Sequence, residues 1–203
     1  MLWGVYLVKK IPTLFKREFL NHQIVNTLPE VTDGLEWVLE GEGTPTIKYD
    51  GACCAVINGI FYRRYDAKNG KLIPEGAIKC QDEPDPVTGH MPCWITCERT
   101  EPSDKWFWAA YDYACKEIGY VPDSTYEAIG VHFQGNPYNL DHDTLMPHGF
   151  VPIVNLERTY DGIKKWLETH YEEGIVFWKD DEPKCKIKRS DFGFSWNTKE
   201  GVK

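Results

Sequence analysis

The chain has 203 residues, of which 42% are hydrophobic and 27% are charged, and its formal net charge is −8. This composition is typical of a folded globular protein, and the length suits one large domain. Proteins that coat nucleic acid by charge alone are usually basic, so the acidic balance argues against that class but not against a local basic pocket. No apolar run reaches the roughly 18–20 residues that cross a bilayer, and no secretion signal is found. We therefore expect a cytoplasmic protein that does not enter a membrane.

The seven cysteines show no disulfide-framework spacing. Reduced thiols in a reducing compartment are the simplest interpretation. The alternative is a zinc site formed by Cys80, His90, Cys93 and Cys97. Structural zinc sites usually combine two closely spaced pairs of ligands, whereas Cys80 stands alone, so we expect free thiols.

Residue patterns predict strands, helices and turns in the following order. The first half contains strands at 5–9 and 24–28, a short helical segment at 34–39, a strand from residue 46, a hairpin of 53–57 and 60–65, and a surface loop at 66–92. The second half contains a helix from 103 or 104 to about 118, strands at 126–133 and 150–154, a helix at 161–170, and paired strands at 174–178 and 184–188.

The predicted strands outnumber the helices and do not alternate regularly with them. This pattern favours an α+β fold with largely antiparallel sheets flanked by a few helices. No linker composition interrupts the chain, so residues 1–203 are expected to form a single domain.

Five short motifs follow one another along the chain. They are Lys48-Tyr49-Asp50-Gly51, Arg64-Tyr65-Asp66, Glu127-x-x-Gly130, Glu173-Gly174-Ile175-Val176 and Lys184-Cys185-Lys186-Ile187-Lys188. A K-x-D-G string alone arises by chance in roughly one chain in twenty of this length, and the other motifs are individually ordinary. Their ordered combination is therefore the informative observation.

This order resembles the covalent nucleotidyltransferase superfamily of ATP-dependent DNA and RNA ligases and mRNA-capping enzymes. The resemblance runs from residue 46 to about residue 196. The sequence at residues 127–138, 148–150 and 173–178 is similar to that of compact single-domain phage RNA ligases and of the animal 5′–3′ RNA ligase. It implies a nucleotidyltransferase (adenylation) domain. An appended OB-fold is not expected, because few residues follow the last lysine motif.

The resemblance also implies a reaction with ATP, Mg²⁺ or Mn²⁺, and RNA ends. A lysine amine attacks the α-phosphate of ATP, AMP passes to a 5′-phosphate, and a 3′-hydroxyl displaces it. The implied catalytic residues are Lys48, Glu173, Lys186 and Lys188, with Lys48 as nucleophile and Glu173 as metal ligand. The implied nucleotide-binding residues are Ile47, Lys48, Arg64, Glu127, Phe150, Lys186 and Lys188, with Arg64 and Glu127 at the ribose and Phe150 at the adenine.

Elementary chemistry agrees with the role implied for Lys48. An amine attacks phosphorus only when it is neutral, and the pKa of a free lysine is near ~10.4. The cations of Lys186 and Lys188, together with a metal, would disfavour the charged form of Lys48 and stabilise the transferred phosphoryl group. In a strand, Lys184, Lys186 and Lys188 would share one side, because side chains alternate.

Two adjacent pairs of charged residues require a choice, because neighbours in a strand point to opposite faces. Glu173 and Arg64 match the family pattern better than Glu172 and Arg63 do. Arg63 is then expected to face solvent or RNA.

Ordinary structural roles stay open for several residues. The lysines could line a solvated strand edge, Glu127 could be a half-exposed carboxylate, and Phe150 could belong to the core. We interpret His132, His142 and His148 as ordinary loop or sheet histidines.

Two other functions also stay open. One is a nucleotidyltransferase that adenylylates itself but passes AMP to an acceptor other than RNA, and the other is a degenerate nucleotide-binding module. The sequence does not identify the natural RNA. A monomer is expected, although no pattern fixes the oligomeric state.

Overall fold

Antiparallel strands form most of the regular structure. The computed structural model describes residues 8–21, 23–68, 71–86 and 88–197. Within these ranges the strands are β1 (Phe15–Leu20), β2 (Gln23–Val31), β3 (Thr44–Lys48), β4 (Ala52–Ile57), β5 (Ile60–Ala67), β6 (Ile78–Lys79), β7 (Met91–Thr96), β8 (Ser124–Ile129), β9 (Thr144–Pro147), β10 (Gly174–Lys179) and β11 (Glu182–Lys188). The α-helices are α1 (Lys105–Ile118) and α2 (Tyr160–Thr169). The strands of each sheet pair antiparallel, which confirms the α+β prediction.

The chain forms two compact units. We call Met1–Lys10 with Asp50–His148 the six-stranded unit, and Ile11–Tyr49 with Gly149–Lys203 the lysine unit. The lysine unit is thus assembled from two segments that flank the six-stranded unit in sequence. The expectation of a single domain over residues 1–203 stays a prediction.

The lysine unit contains a three-stranded sheet in the order β11-β10-β3 and a two-stranded sheet of β1 and β2. Its core includes Ile175 and Phe177 of β10 and Cys185 and Ile187 of β11, all fully buried. The amphipathic helix α2 adds Leu167 to this core. Alternate side chains of β10 and β11 therefore pack in the core. The side chains between them point to the other side of the sheet.

The six-stranded unit has the strand order β6-β7-β5-β4-β8-β9. On one face of this sheet, Cys54 and Val56 pack in a cluster that includes Ala110 of α1. On the other face, Ala55 packs with Trp94. Because side chains alternate along each strand, the strand register assigns every residue of the sheet to one of these faces.

The predicted turn is confirmed, whereas the predicted cap of the first helix is confirmed in position only, since Asp104 precedes α1 but its side chain makes no capping hydrogen bond. The capping residues at the two helix ends described below were not predicted. The predicted hairpin is formed by β4 and β5, and Asn58 and Gly59 both have the positive φ values, 52° and 73°, that a two-residue turn of this kind requires. Helix α2 begins after Thr159, whose hydroxyl accepts a hydrogen bond of 3.0 Å from the Gly162 N–H. Helix α1 ends before Gly119, where φ is 86°.

Longer-range structure departs from the prediction. Residues 150–154 do not form a strand: a backbone bridge pairs Pro152 with Thr46, and hydrogen bonds join Val151 and Ile153 to β3. Pro152 has no N–H to continue the ladder. The predicted strand 126–133 is shorter, since β8 ends at Ile129.

Four strands were not predicted, and one predicted strand lies mostly outside the described residues. The sequence did not predict β1, β6, β7 or β9 as separate strands. The predicted strand 5–9 lies mostly outside the described residues, and its described part, residues 8–9, is not in a strand.

The cysteines are free thiols, as expected. All seven lie in the described part of the chain and none is in a disulfide. The zinc alternative is wrong, because Cys80, Cys93 and Cys97 belong to three different core clusters. No helix of the described residues is both long and apolar enough to span a membrane.

Arg63 forms an ion pair with a buried carboxylate, and its side chain does not have the orientation that was predicted from the sequence. Its Nε lies 2.6 Å from an oxygen of Asp104, which is only 2% exposed and also accepts the Glu98 N–H at 2.9 Å. Burial alone would raise the pKa of Asp104, but these hydrogen bonds hold the pKa below its usual value. Arg63 therefore faces α1 rather than solvent or RNA.

We expect Asp104→Ala to lower the free energy of unfolding by about 2–3 kcal/mol, because it leaves Arg63 without its partner. The matched control is Asp112→Ala, which breaks an exposed pair with Arg99 and should cost about 0–1 kcal/mol. Urea unfolding measures both. Since the Asp104 pKa is lowered by folding, the difference between wild type and Asp104→Ala should be present at neutral pH and shrink in acid. Equal costs for the two variants would contradict this account.

Candidate functional site

A buried carboxylate in the lysine unit lies against two ammonium groups. Glu173 is 4% exposed. One of its oxygens contacts the Nζ of Lys48, and the other lies 2.5 Å from the Nζ of Lys188. A carboxylate that leaves water is stabilised by such cations, so the three residues form one charged cluster.

The strand register explains why these residues meet. Gly174, the first residue of β10, is paired with Lys48 on β3 and with Lys188 on β11. A Cβ at residue 174 would lie 2.3 Å from the backbone oxygen of Ile187, so only glycine fits between the two strands. Glu173 directly precedes this glycine and is therefore placed between the two lysine-bearing strands.

Lys186 is the third cation of this cluster. Burial, followed by the charges of Lys48 and Lys188, lowers its pKa to about 8, while Glu173 and Asp191 act in the opposite direction. The residues on either side, Cys185 and Ile187, are fully buried in the core, which confirms the predicted alternation of β11.

Lys186 does not lie on an open sheet edge. The Lys186 N–H donates to the Pro12 oxygen at 3.0 Å, and the Lys186 oxygen accepts the Leu14 N–H at 2.8 Å. The outer side of β11 is thus covered by backbone at this point. The edge-strand interpretation of the lysines is therefore wrong for Lys186.

The end of β11 is held by a second buried carboxylate. Asp191 is 5% exposed and accepts the Lys188 N–H at 2.8 Å and the guanidinium of Arg17 at 3.0 Å. Because the backbone of Lys188 is fixed in this way, its side chain starts from a defined position beside Glu173.

Glu172 occupies a different environment from Glu173. Its pKa is raised, because burial disfavours its charged form. One of its oxygens is buried and has no hydrogen-bond partner among the described residues. Glu173 pairs with Lys48 and Lys188. The choice of Glu173 over Glu172 as the residue that serves the site stays a prediction.

Ile47 and Phe150 also belong to the lysine unit. Ile47 lies on β3 opposite Ile175, and its N–H donates to the Val151 oxygen at 3.0 Å. Phe150 is 69% exposed, so its interpretation as a core residue is wrong. An exposed ring at this position is available for stacking on a planar ligand.

Arg64 and Glu127 belong to the six-stranded unit and share the sheet face opposite α1. Arg64 binds an oxygen of Asp66 at 2.8 Å and the backbone oxygen of Val8 at 2.6 Å. Glu127 accepts the Gly51 N–H at 3.1 Å. Alternation along β5 and β8 thus places the two candidate ribose ligands on one side of the sheet. The choice of Arg64 over Arg63 as a ribose ligand stays a prediction.

His148 is a neighbour of Glu127 that sequence reasoning missed. Its Nε2 lies 3.0 Å from Oε2 of Glu127, and its Nδ1 lies 3.0 Å from the hydroxyl of Thr125. The sequence offered no signal for this contact, because 21 residues separate His148 from Glu127 and β9 was not predicted.

Comparison with known proteins finds animal RNA ligases. No family model matches the chain. The chain is 27% identical over 163 residues to RNA ligase 1 of Rattus norvegicus, which covers 66% of this chain and 47% of the relative. It is 29% identical over 137 residues to RNA ligase 1 of Danio rerio, covering 53% and 42%. The chain thus spans about half the length of these curated relatives or slightly less, and it is similar in sequence to part of these animal RNA ligase proteins.

Two substitutions should move the pKa of Lys186 in opposite directions. Lys188→Met removes a neighbouring cation and should raise this pKa from about 8, whereas Glu173→Gln removes an anion and should lower it. Carbon NMR of labelled lysine side chains, titrated against pH, measures both. Lys184→Met on the same strand is the control and should leave the value unchanged. A Lys186 pKa that stays near the ordinary ~10.4 in wild type would contradict the cluster.

Proposed function

We propose that the chain is an ATP-dependent RNA ligase that joins 5′-phosphate and 3′-hydroxyl ends through a covalent lysyl-AMP on Lys48. The observation that carries this proposal is the cluster in which Glu173 pairs with Lys48 and Lys188 beside Lys186. The similarity to animal proteins named RNA ligase 1 supports RNA as the substrate class.

The first step requires Lys48 as a neutral amine. Its Nζ attacks the α-phosphorus of ATP, so that an N–P bond forms, the P–O bond to pyrophosphate breaks, pyrophosphate leaves, and one Nζ proton passes to solvent. The ion pair with Glu173 favours the charged form of Lys48, and the pair must therefore separate before attack. The charges of Lys186 and Lys188 favour this separation, since like charges disfavour a third nearby cation.

Glu173 suits a hard divalent cation. Its carboxylate oxygens are the donors that Mg²⁺ or Mn²⁺ prefers, and one or two carboxylates with substrate phosphates are a common way to hold Mg²⁺. The metal would supply neutralisation of phosphate charge when bound. Glu173 itself keeps its two lysine partners in place until the nucleotide enters.

Lys186 and Lys188 would stabilise the phosphoryl group as charge moves across it. Positioning and electrostatics account for most of the catalysis of phosphoryl transfer, and two cations beside the nucleophile provide both. In the second step the AMP passes from Lys48 to an RNA 5′-phosphate. In the third, an RNA 3′-hydroxyl attacks that activated phosphate and releases AMP.

The remaining nucleotide contacts follow from side-chain chemistry. Arg64 and Glu127, on one face of the six-stranded sheet, offer a donor and an acceptor for ribose hydroxyls. Phe150 offers an exposed ring for the adenine, and Ile47 an apolar side chain next to Lys48.

RNA joining should depend on Lys48 but not on Lys184, which lies on β11 and pairs with Glu182. Lys48→Ala should reduce joining by on the order of 10⁴-fold or more, as for other catalytic nucleophiles, and Lys184→Ala should leave it unchanged. EDTA should abolish joining, and Mg²⁺ or Mn²⁺ should restore it. The assay follows conversion of a 5′-labelled RNA to a longer product. Joining by Lys48→Ala, or full activity in EDTA, would overturn the mechanism.

Phe150→Ala should raise the KM for ATP by about 3–10-fold, because a stacking contact contributes about 0.5–1.5 kcal/mol. Phe150→Tyr keeps a ring and should leave KM close to wild type. Both variants should unfold at the wild-type urea concentration, since the side chain is exposed. Steady-state kinetics of joining at varied ATP measures the effect. An unchanged KM in Phe150→Ala would remove Phe150 from the nucleotide site.

A further inference from the structure

We propose that Cys53, Glu127 and His148 form a binding site for a thiophilic divalent cation, with zinc as the ion that fits best. The sulfur, a carboxylate oxygen and an imidazole nitrogen of these residues all lie within 4.8 Å of one another. None of the three residues is exposed, and none is fully buried. This site lies within the six-stranded unit and does not involve Glu173.

The sheet itself brings two of the ligands together. Cys53 on β4 is paired with Glu127 on β8 in antiparallel register, so their side chains leave the same face at neighbouring positions. Cys54, one residue later, points to the opposite face and is fully buried against α1. The register therefore directs the Cys53 thiol, and not its neighbour, toward the carboxylate.

His148 is held with its Nε2 toward the other two ligands. The backbone N–H of His148 donates to the backbone oxygen of Thr125 at 3.1 Å. The ring Nδ1 of His148 lies 3.0 Å from the hydroxyl oxygen of Thr125. A hydroxyl partner at Nδ1 is the kind of orienting contact that fixes metal-binding histidines. Glu127 has a comparable anchor, because one of its oxygens accepts the Gly51 N–H and the other faces His148.

The donor set favours zinc over magnesium. A thiolate with an imidazole suits zinc and cobalt, whereas Mg²⁺ prefers oxygen donors. Three protein ligands leave one position of a tetrahedral zinc ion for water or another ligand. Binding would release the Cys53 thiol proton to solvent and leave the imidazole proton on Nδ1, which then donates a hydrogen bond to the hydroxyl oxygen of Thr125.

Two buried thiols elsewhere in the six-stranded unit are poor competitors for the metal. Burial raises the pKa of Cys80 and of Cys97 to about 12, so their thiolate forms are scarce at neutral pH. Cys115 of the same unit is only partly buried and is absent from the cluster, which makes it a matched control.

Titration of the whole chain with Co²⁺ at neutral pH tests the site directly. A cobalt–thiolate bond gives a charge-transfer band in the near ultraviolet, and we expect this band to saturate at about one ion per chain. Zn²⁺ should displace the cobalt and remove the band. Cys53→Ser should lack the band, His148→Gln should weaken cobalt binding by about 10-fold or more, and Cys115→Ser should behave as wild type.

The absence of the band in wild type, its persistence in Cys53→Ser, or wild-type cobalt affinity in His148→Gln would each overturn the proposal. Circular dichroism of each variant without metal establishes that it is folded. A second consequence rests on the proposed function: zinc would withdraw Glu127 from the ribose and should inhibit adenylylation. The cobalt band requires no nucleotide chemistry, so failure of the metal site and failure of the proposed function are distinguishable.

Discussion

The lysine unit depends on one electrostatic constraint, the removal of the Glu173 carboxylate from water. An ionised carboxylate at this depth requires cations, and Lys48 and Lys188 supply them from the two strands that flank β10. Gly174 makes the arrangement possible, because no side chain fits at its position. The core residues of β10 and β11 anchor the sheet from the other side.

The same constraint gives the cluster its chemistry. Three lysines beside one carboxylate carry an excess of positive charge, and Lys186 responds with a pKa lowered to about 8. Such a site is complementary to an anion with several charges, such as a nucleoside triphosphate. The proposed function assigns the excess charge to the phosphates and the carboxylate to the metal that accompanies them.

In the six-stranded unit, strand alternation places the residues that stabilise the fold on one face of the sheet and the candidate ligands on the other. Arg63 and Cys54 face α1, where a buried ion pair and apolar packing stabilise the unit. Their neighbours Arg64 and Cys53 leave the opposite face, where Glu127 also lies. A shift of one residue in register would exchange these two sets. The register that packs the core therefore also positions the candidate ligands.

Local patterns predicted the parts of the fold whose signals are local. The Asn58-Gly59 turn, the two helices and the β10–β11 pair follow from turn, capping and alternation rules. Residues 150–154 misled the prediction, because an apolar run resembles a strand while Pro152 cannot continue a ladder.

For the candidate site too, the sequence suggested the residues but did not predict the long-range contacts between them. Motif order suggested the lysines and Glu173 as candidates, but the contact of Lys48 with Glu173 depends on pairing between β3 and β10, and these two residues are 125 apart in sequence. The cluster of Cys53, Glu127 and His148 was not predicted, because no sequence motif joins the three residues and they meet only in the folded sheet, where Cys53 is paired with Glu127.

The most direct test of the central claim is the intact mass of the protein after incubation with ATP and Mg²⁺, with GTP in parallel. Protein shown to be free of bound AMP should gain the mass of one adenylyl group from ATP, and peptide mapping should place it on Lys48. Lys48→Ala should gain none. An adduct on another residue, or no adduct with either nucleotide, would contradict the assignment of Lys48 as the nucleophile.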